Sequence, residues 1–232
     1  MPAGDPSKIS AGETRSSRPK EHADAKPLTS HDIFDLCVER ARNLIKLHQA
    51  VHGKAGKPER YTQDAHRAAI VLAISALDAF VRDFVIARTR ARLAERAKPI
   101  PPALSAHIRK FIREEELLEA ARKDDLLERV DKAFRSDFER RSFQGTKNIE
   151  ETLQLLGYSN VFHELAAAAL VNEDSLKQDL DRFTKRRHEI AHRGDYDLSE
   201  NPPRENVVTK RDAEDCIKLV CMIAKYMHGL EE

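Results

Sequence analysis

The sequence predicts an all-α protein, a helical bundle, and three observations carry that prediction. Helix-favouring Ala, Leu, Glu, Lys and Arg are abundant, whereas the 232 residues include only 8 Gly, 9 Phe, 4 Tyr and no Trp. Apolar residues recur at three and four spacing in one segment after another. No run of alternating residues demands a sheet, and no internal repeat is found. With 41% hydrophobic and 34% charged residues, the chain suits one globular domain, set at residues 29–232.

Residues 1–28 mix Pro, Ser, Gly and charge with almost nothing to bury, so a disordered tail is expected there. From Ser30 the pattern turns helical. Ile33, Leu36, Cys37, Ala41, Leu44, Ile45 and Leu47 recur at helical spacing up to the break at HGKAGKP, residues 52–58. A long second helix is expected from about Thr62 to Ala97, with Ile70, Ile74, Leu77, Val81, Phe84 and Val85 as its central stripe. The KPIPP run at 98–102 ends it.

Two charge-rich, partly solvated helices follow at roughly 103–121 and 123–140. Gly145 and Gly157 bracket another helix, and VFHELAAAAL (161–170) makes a further short one. The next begins near Asp174 or Ser175 and runs to Gly194, a natural C-terminal stop. A polar loop, 195–208, leads to a last helix at about 210–228. Thr209 and Asp212 resemble its capping box, with Asp in place of the usual Glu.

Composition also excludes function classes. An odd set of three cysteines, Cys37, Cys216 and Cys221, has no C-x-x-C spacing. That argues against a disulfide framework and for a reducing cytoplasm, with each thiol a small buried group. The first residues lack the apolar stretch of a secretory signal. The most apolar segment, 68–87, is interrupted by Asp78, Arg82 and Asp83, which a membrane span would place in hydrocarbon. Net charge is +1, so any affinity for polyanions must come from a local patch.

Such a patch exists around RRHEIAHRGD, residues 186–195. Between Arg182 and Arg193 stand five Lys or Arg against one Glu. Two parsings compete. From His188 the stretch is H-E-x-x-H, a zinc-protease pattern with Glu189 as base. Arg186, Arg187 and Arg193 surround that site with positive charge, which opposes a dication, and no downstream acid forms a recognisable second motif. From Arg187 the stretch is R-x-x-x-x-H and needs no metal. Leu176, Leu180, Phe183, Ile190 and Ala191 define an apolar stripe with Arg187 in its middle. A guanidinium there requires an anion or an interface. His192 lies about 140° round the helix from Arg187, so two copies about a twofold axis would converge the pair better than one.

RHEIAH, residues 187–192, resembles the R-polar-x-x-x-H motif of the HEPN superfamily (higher eukaryotes and prokaryotes nucleotide-binding), with His188 as the polar residue. The wider LDRFTKRRHEIAHRGD (180–195) is similar to the family's motif helix. Residues 68–89 resemble the long earlier helix of its RiboL-PSP and MAE-type branches, and NIEETLQLLG (148–157) its middle segment. The resemblance spans most of residues 30–228. It implies a dimeric helical bundle of the HEPN type with metal-independent endoribonuclease activity and no cofactor. It further implies a toxin of a toxin–antitoxin pair, whose partner is an antitoxin protein, or an effector of antiviral defence.

Carried over, Arg187 and His192 are the motif pair. His188 stands where Asn or Asp is commoner, and Gly194 stands where one toxin branch has a tyrosine. RNA supplies its own nucleophile, the 2′-OH, so His192 would move the proton and Arg187 would hold the phosphate oxygens. Arg193 and Arg186 are candidate RNA contacts, and His188 is a candidate to orient Arg187 or the phosphate. Asp78, on the buried arc of the long helix, needs a partner. Arg187 is the first candidate and Arg82, at i+4, the alternative. His66, His107 and His163 read as structural or surface residues. The contrasting reading is a catalytically silent HEPN-like module that binds RNA, a nucleotide or a protein.

Overall fold

The computed structural model describes residues 27–52, 63–95 and 97–230. The tail expected over 1–28 falls almost wholly outside them, as do residues 53–62 of the first interhelical break. Helices dominate: α1 (Ser30–His52), α2 (Gln63–Ala94), α3 (Pro102–Phe111), α4 (Glu114–Arg122), α5 (Leu126–Phe138), α6 (Thr146–Leu155), α7 (Val161–Ala169), α8 (Glu173–Arg193) and α9 (Lys210–Gly229). The fold is all-α.

α2 is the axis. Its stripe of Ile70, Ile74, Leu77, Val81, Phe84 and Val85 is buried throughout, and Ala69, Ala73, Ala76 and Phe80 widen it. Small alanines among large residues let neighbours approach closely, so α2 packs against α1, α9, α8 and α5. One continuous apolar cluster runs from Phe34 on α1 to Met227 on α9.

On α1 the inward residues are Phe34, Val38, Ala41 and Ile45. Ile33, Leu36 and Leu47, placed by spacing in the same set, are exposed, and Cys37 and Leu44 are partly buried. The helix carries apolar residues on two faces, and spacing alone does not say which one meets α2.

The two charged helices expected over 103–140 are three. Buried Ile112 is extended, with φ −129° and ψ 122°, and this breaks the first. Glu116 then accepts the Arg113 N–H at 3.2 Å, and three successive glutamates favour a fresh helix N-terminus. Asp124, with φ +58°, makes the second break.

Gly145 (φ +81°) and Gly157 (φ +88°) bracket α6 as expected. The Thr209–Asp212 capping box forms, with the Thr209 N–H donating to Asp212 at 2.9 Å and the Asp212 N–H to Thr209 Oγ1 at 3.1 Å. Inside the 195–208 loop, β1 (Tyr196–Asp197) and β2 (Arg204–Glu205) pair antiparallel, a hairpin too short to show alternation in sequence. No described helix is long and apolar enough to cross a membrane.

Candidate active site

α8 carries the motif. Asn172 caps its start by accepting the Ser175 N–H at 2.9 Å, and Gly194, at φ +62°, ends it in the left-handed region that glycine adopts without penalty. Leu176, Leu180 and Phe183 are buried against α2 and α7. The apolar stripe then emerges: Ile190 is half-buried against the core, whereas Ala191 is exposed among the described residues.

Arg187 sits where the stripe leaves the core. The residue is half-buried, its Nε is shielded from solvent, and that nitrogen has no hydrogen-bond partner among the described residues. His188 and His192, one turn apart, are exposed, with ring centroids 4.4 Å apart at an interplanar angle of 44°. Arg193 is exposed beside them. Regular helix geometry keeps Arg187 and His192 about 140° apart on one copy of α8. The structure therefore brings His188 and His192 together on one exposed flank, with Arg187 and Arg193 to either side of them.

Two supporting residues have different surroundings from those expected. Asp78 pairs with Arg82 at 3.1 Å and accepts the Phe143 N–H at 2.6 Å. This corrects the pairing with Arg187. Both carboxylate oxygens are taken, one by the residue a turn away and one by the loop between α5 and α6. Arg186 faces inward. One of its terminal nitrogens donates to Asp195 Oδ2 at 3.0 Å and to the Val207 carbonyl at 3.0 Å.

Asp195 and Arg67 were not singled out from sequence. Asp195 follows Gly194, lies at φ +66° and is fully buried. Arg67 of α2, its side chain 6% exposed, donates to Asp195 at 2.8 Å and to the Asn206 carbonyl at 2.6 Å. It also pairs with Glu205 and with Asp64, each at 3.1 Å. The Asn206 N–H in turn reaches the Asp195 carbonyl at 2.9 Å. The network ties the end of the motif helix to α2 and to the hairpin. An Asp directly after a glycine helix stop is a local hint of such a role. The Arg67 partner, 128 positions away, leaves no local trace.

For the zinc parsing, no group of three His, Cys, Asp or Glu that could hold a metal exists among the described residues. Glu189 lies 3.9 Å from Lys185. Of the remaining histidines, His66 and His107 are buried, and His163 is exposed and pairs with Glu173 at 3.0 Å. Cys216 is buried, and burial pushes its thiol up to about 12. Cys37 and Cys221 are half-buried, so only one of the three thiols is fully enclosed.

The protein is a helical bundle whose motif helix ends on an Arg–His pair with further cations around it. Comparison with protein families matches RiboL-PSP-HEPN over residues 35–230, and the chain belongs to that family. HEPN domains include ribonucleases, nucleotide-binding modules and inactive members, and they often dimerise and bind RNA. No curated protein and no solved structure gave a match.

Proposed function

We propose that residues 29–232 form one HEPN domain that acts as a homodimeric, metal-independent endoribonuclease, with Arg187 and His192 as its catalytic residues. The observation that carries this reading is Arg187. A guanidinium is half-buried at the end of an apolar helix face, its Nε enclosed and without a partner among the described residues. Leaving a buried donor unsatisfied is costly, so the position makes sense when an anion or a second copy completes it. The exposed Ala191 on the same stripe is where a second α8 would pack.

Across that twofold axis, Arg187 of one copy meets His192 of the other. A neutral His192 takes the 2′-OH proton as the 2′-oxygen attacks phosphorus. The bond to the 5′-oxygen breaks, and a protonated His192 delivers a proton to that leaving oxygen. Arg187 holds the phosphoryl oxygens as negative charge grows on them. The products are a 2′,3′-cyclic phosphate and a 5′-OH. Arg193 and His188, both exposed near the end of α8, contact the RNA backbone. The setting that fits is a cytoplasmic toxin–antitoxin or antiviral defence system, with an antitoxin protein as partner.

A second reading has its own observation. Within one copy, regular helix geometry sets Arg187 and His192 about 140° apart, so a chain that stays monomeric would be a binding module without activity. Incubating purified protein with RNA in excess EDTA separates the readings. The nuclease cuts with EDTA present and loses cutting on Arg187→Ala and His192→Ala. RNA binding without any cleavage means the silent module, and EDTA-sensitive proteolysis would revive the zinc parsing.

A further inference from the structure

A cavity of about 240 Å³ lies on the side of α8 away from Arg187, between that helix and the approach to α9. Its floor is apolar, made by Ile70 of α2, Phe183 of α8 and Val208 before α9, all buried. Its rim is charged. Arg182 stacks over the Phe183 ring with its guanidinium carbon 4.2 Å from the centroid. Lys185 is largely exposed, and its nearest carboxylate, that of Glu189, is 3.9 Å away.

Each part fits one component of a nucleotide. The volume is below the range of drug-sized pockets and suits a single planar ring system. A stacked guanidinium offers its face to a base, as arginine does in single-stranded RNA recognition. Lys185 supplies a mobile cation for the attached phosphate. Glu189 is half-buried, and its only ion pair among the described residues is that long one, so its oxygens are available. A carboxylate only accepts hydrogen bonds, and its two oxygens match two adjacent N–H donors. Among RNA bases, guanine presents such a pair through its ring N–H and its neighbouring amino group.

The position also fits. Glu189 lies one helical turn before His192 on the same side of α8, so a base held at Glu189 would lead its backbone toward the motif histidine. We propose that this cavity is a guanine-binding pocket, with Glu189 as the selecting acceptor, Arg182 as the stacking surface and Lys185 as the phosphate contact. It rests on the ribonuclease reading only for its use: it would set which nucleotide flanks the cut.

The test uses the full chain carrying His192→Ala and measures binding of GMP, AMP, CMP and UMP by titration calorimetry. GMP is expected to bind most tightly. Glu189→Gln, which replaces one acceptor oxygen with a donor, should weaken GMP by at least about tenfold, the loss of one bidentate pair, and remove the preference. Lys185→Ala should weaken GMP but not guanosine. Circular dichroism of both variants checks that the fold is kept. Equal binding of all four nucleotides, no binding of any, or GMP binding unchanged in Glu189→Gln overturns the pocket. Because binding is read without cleavage, a chain that binds GMP but never cuts RNA refutes the nuclease alone. A chain that cuts RNA but ignores GMP refutes the pocket alone.

Discussion

Replacing Asp195 by alanine removes the carboxylate on which the end of the motif helix is anchored. Asp195 is fully enclosed and takes hydrogen bonds from Arg67 at 2.8 Å and Arg186 at 3.0 Å. Deleting one partner of a buried pair costs about 3–5 kcal/mol, because the other charge is left behind. The lower end applies here. Arg67 keeps Glu205 and the Asn206 carbonyl, and Arg186 is exposed enough to turn to water. Alanine at φ +66° adds about 1 kcal/mol of backbone strain that aspartate bears more easily. The sum is about 4 kcal/mol, a fall in Tm on the order of 10 °C for a chain of this size.

Urea unfolding followed by far-UV circular dichroism reads this directly. Asp195→Asn keeps the shape and one acceptor oxygen, so it should lose about half as much. A loss below about 1 kcal/mol in Asp195→Ala, the scale of a surface change, would refute the anchoring role.

Other outcomes follow from the same structure. Thiol reagents on the native protein should modify Cys37 and Cys221 while sparing Cys216, whose thiol burial pushes up to about 12; early labelling of Cys216 would contradict its enclosure. Burial holds His66 below its ordinary 6.5, with His48 nearby adding to the effect, and it holds His107 down likewise, with Arg141 adding there. The unfolded chain therefore takes up these protons first, so stability is full above pH 6.5 and falls as pH drops below it. The His66→Gln, His107→Gln double variant should flatten the stability curve below pH 6.5, and an unchanged slope would count against it. At Gly194 an added Cβ meets only the Tyr196 ring at 3.6 Å, an ordinary contact, so Gly194→Ala should cost about 1 kcal/mol, from backbone conformation alone. A much larger loss would mean the turn is tighter than described.

What sequence revealed and what it hid divide along physical lines. The α2 stripe was legible because a helix buried on several sides shows its period regardless of which neighbour covers it. Gly145, Gly157, Gly194 and the Thr209–Asp212 box were legible because each acts within a few residues. The outward Ile33, Leu36 and Leu47 were not separable from the inward Phe34 and Val38, since a helix with two apolar faces gives one mixed signal. Ile112, apolar and in register, concealed a break set by a cap on Arg113.

At the candidate site, Arg187 was found on the apolar stripe as its spacing implied. Ala191, on the same stripe, is exposed, because the stripe outlasts the core that covers it. Asp78 went to Phe143 and Arg82, and Arg67 to Asp195. Arg82, one turn away, was the local alternative, Phe143 lies in a loop whose path no periodicity predicts, and Asp195 is a pairing across the chain.

Mixed dimers of two inactive variants would interrogate the catalytic arrangement most directly. Differently tagged Arg187→Ala and His192→Ala chains are refolded together, the doubly tagged species is isolated, and its RNA cleavage is compared with that of each variant alone. If cleavage depends on Arg187 of one copy facing His192 of the other, the hybrid cuts RNA while both parents do not. A hybrid as silent as its parents, beside an active wild-type protein, would contradict the shared cleft.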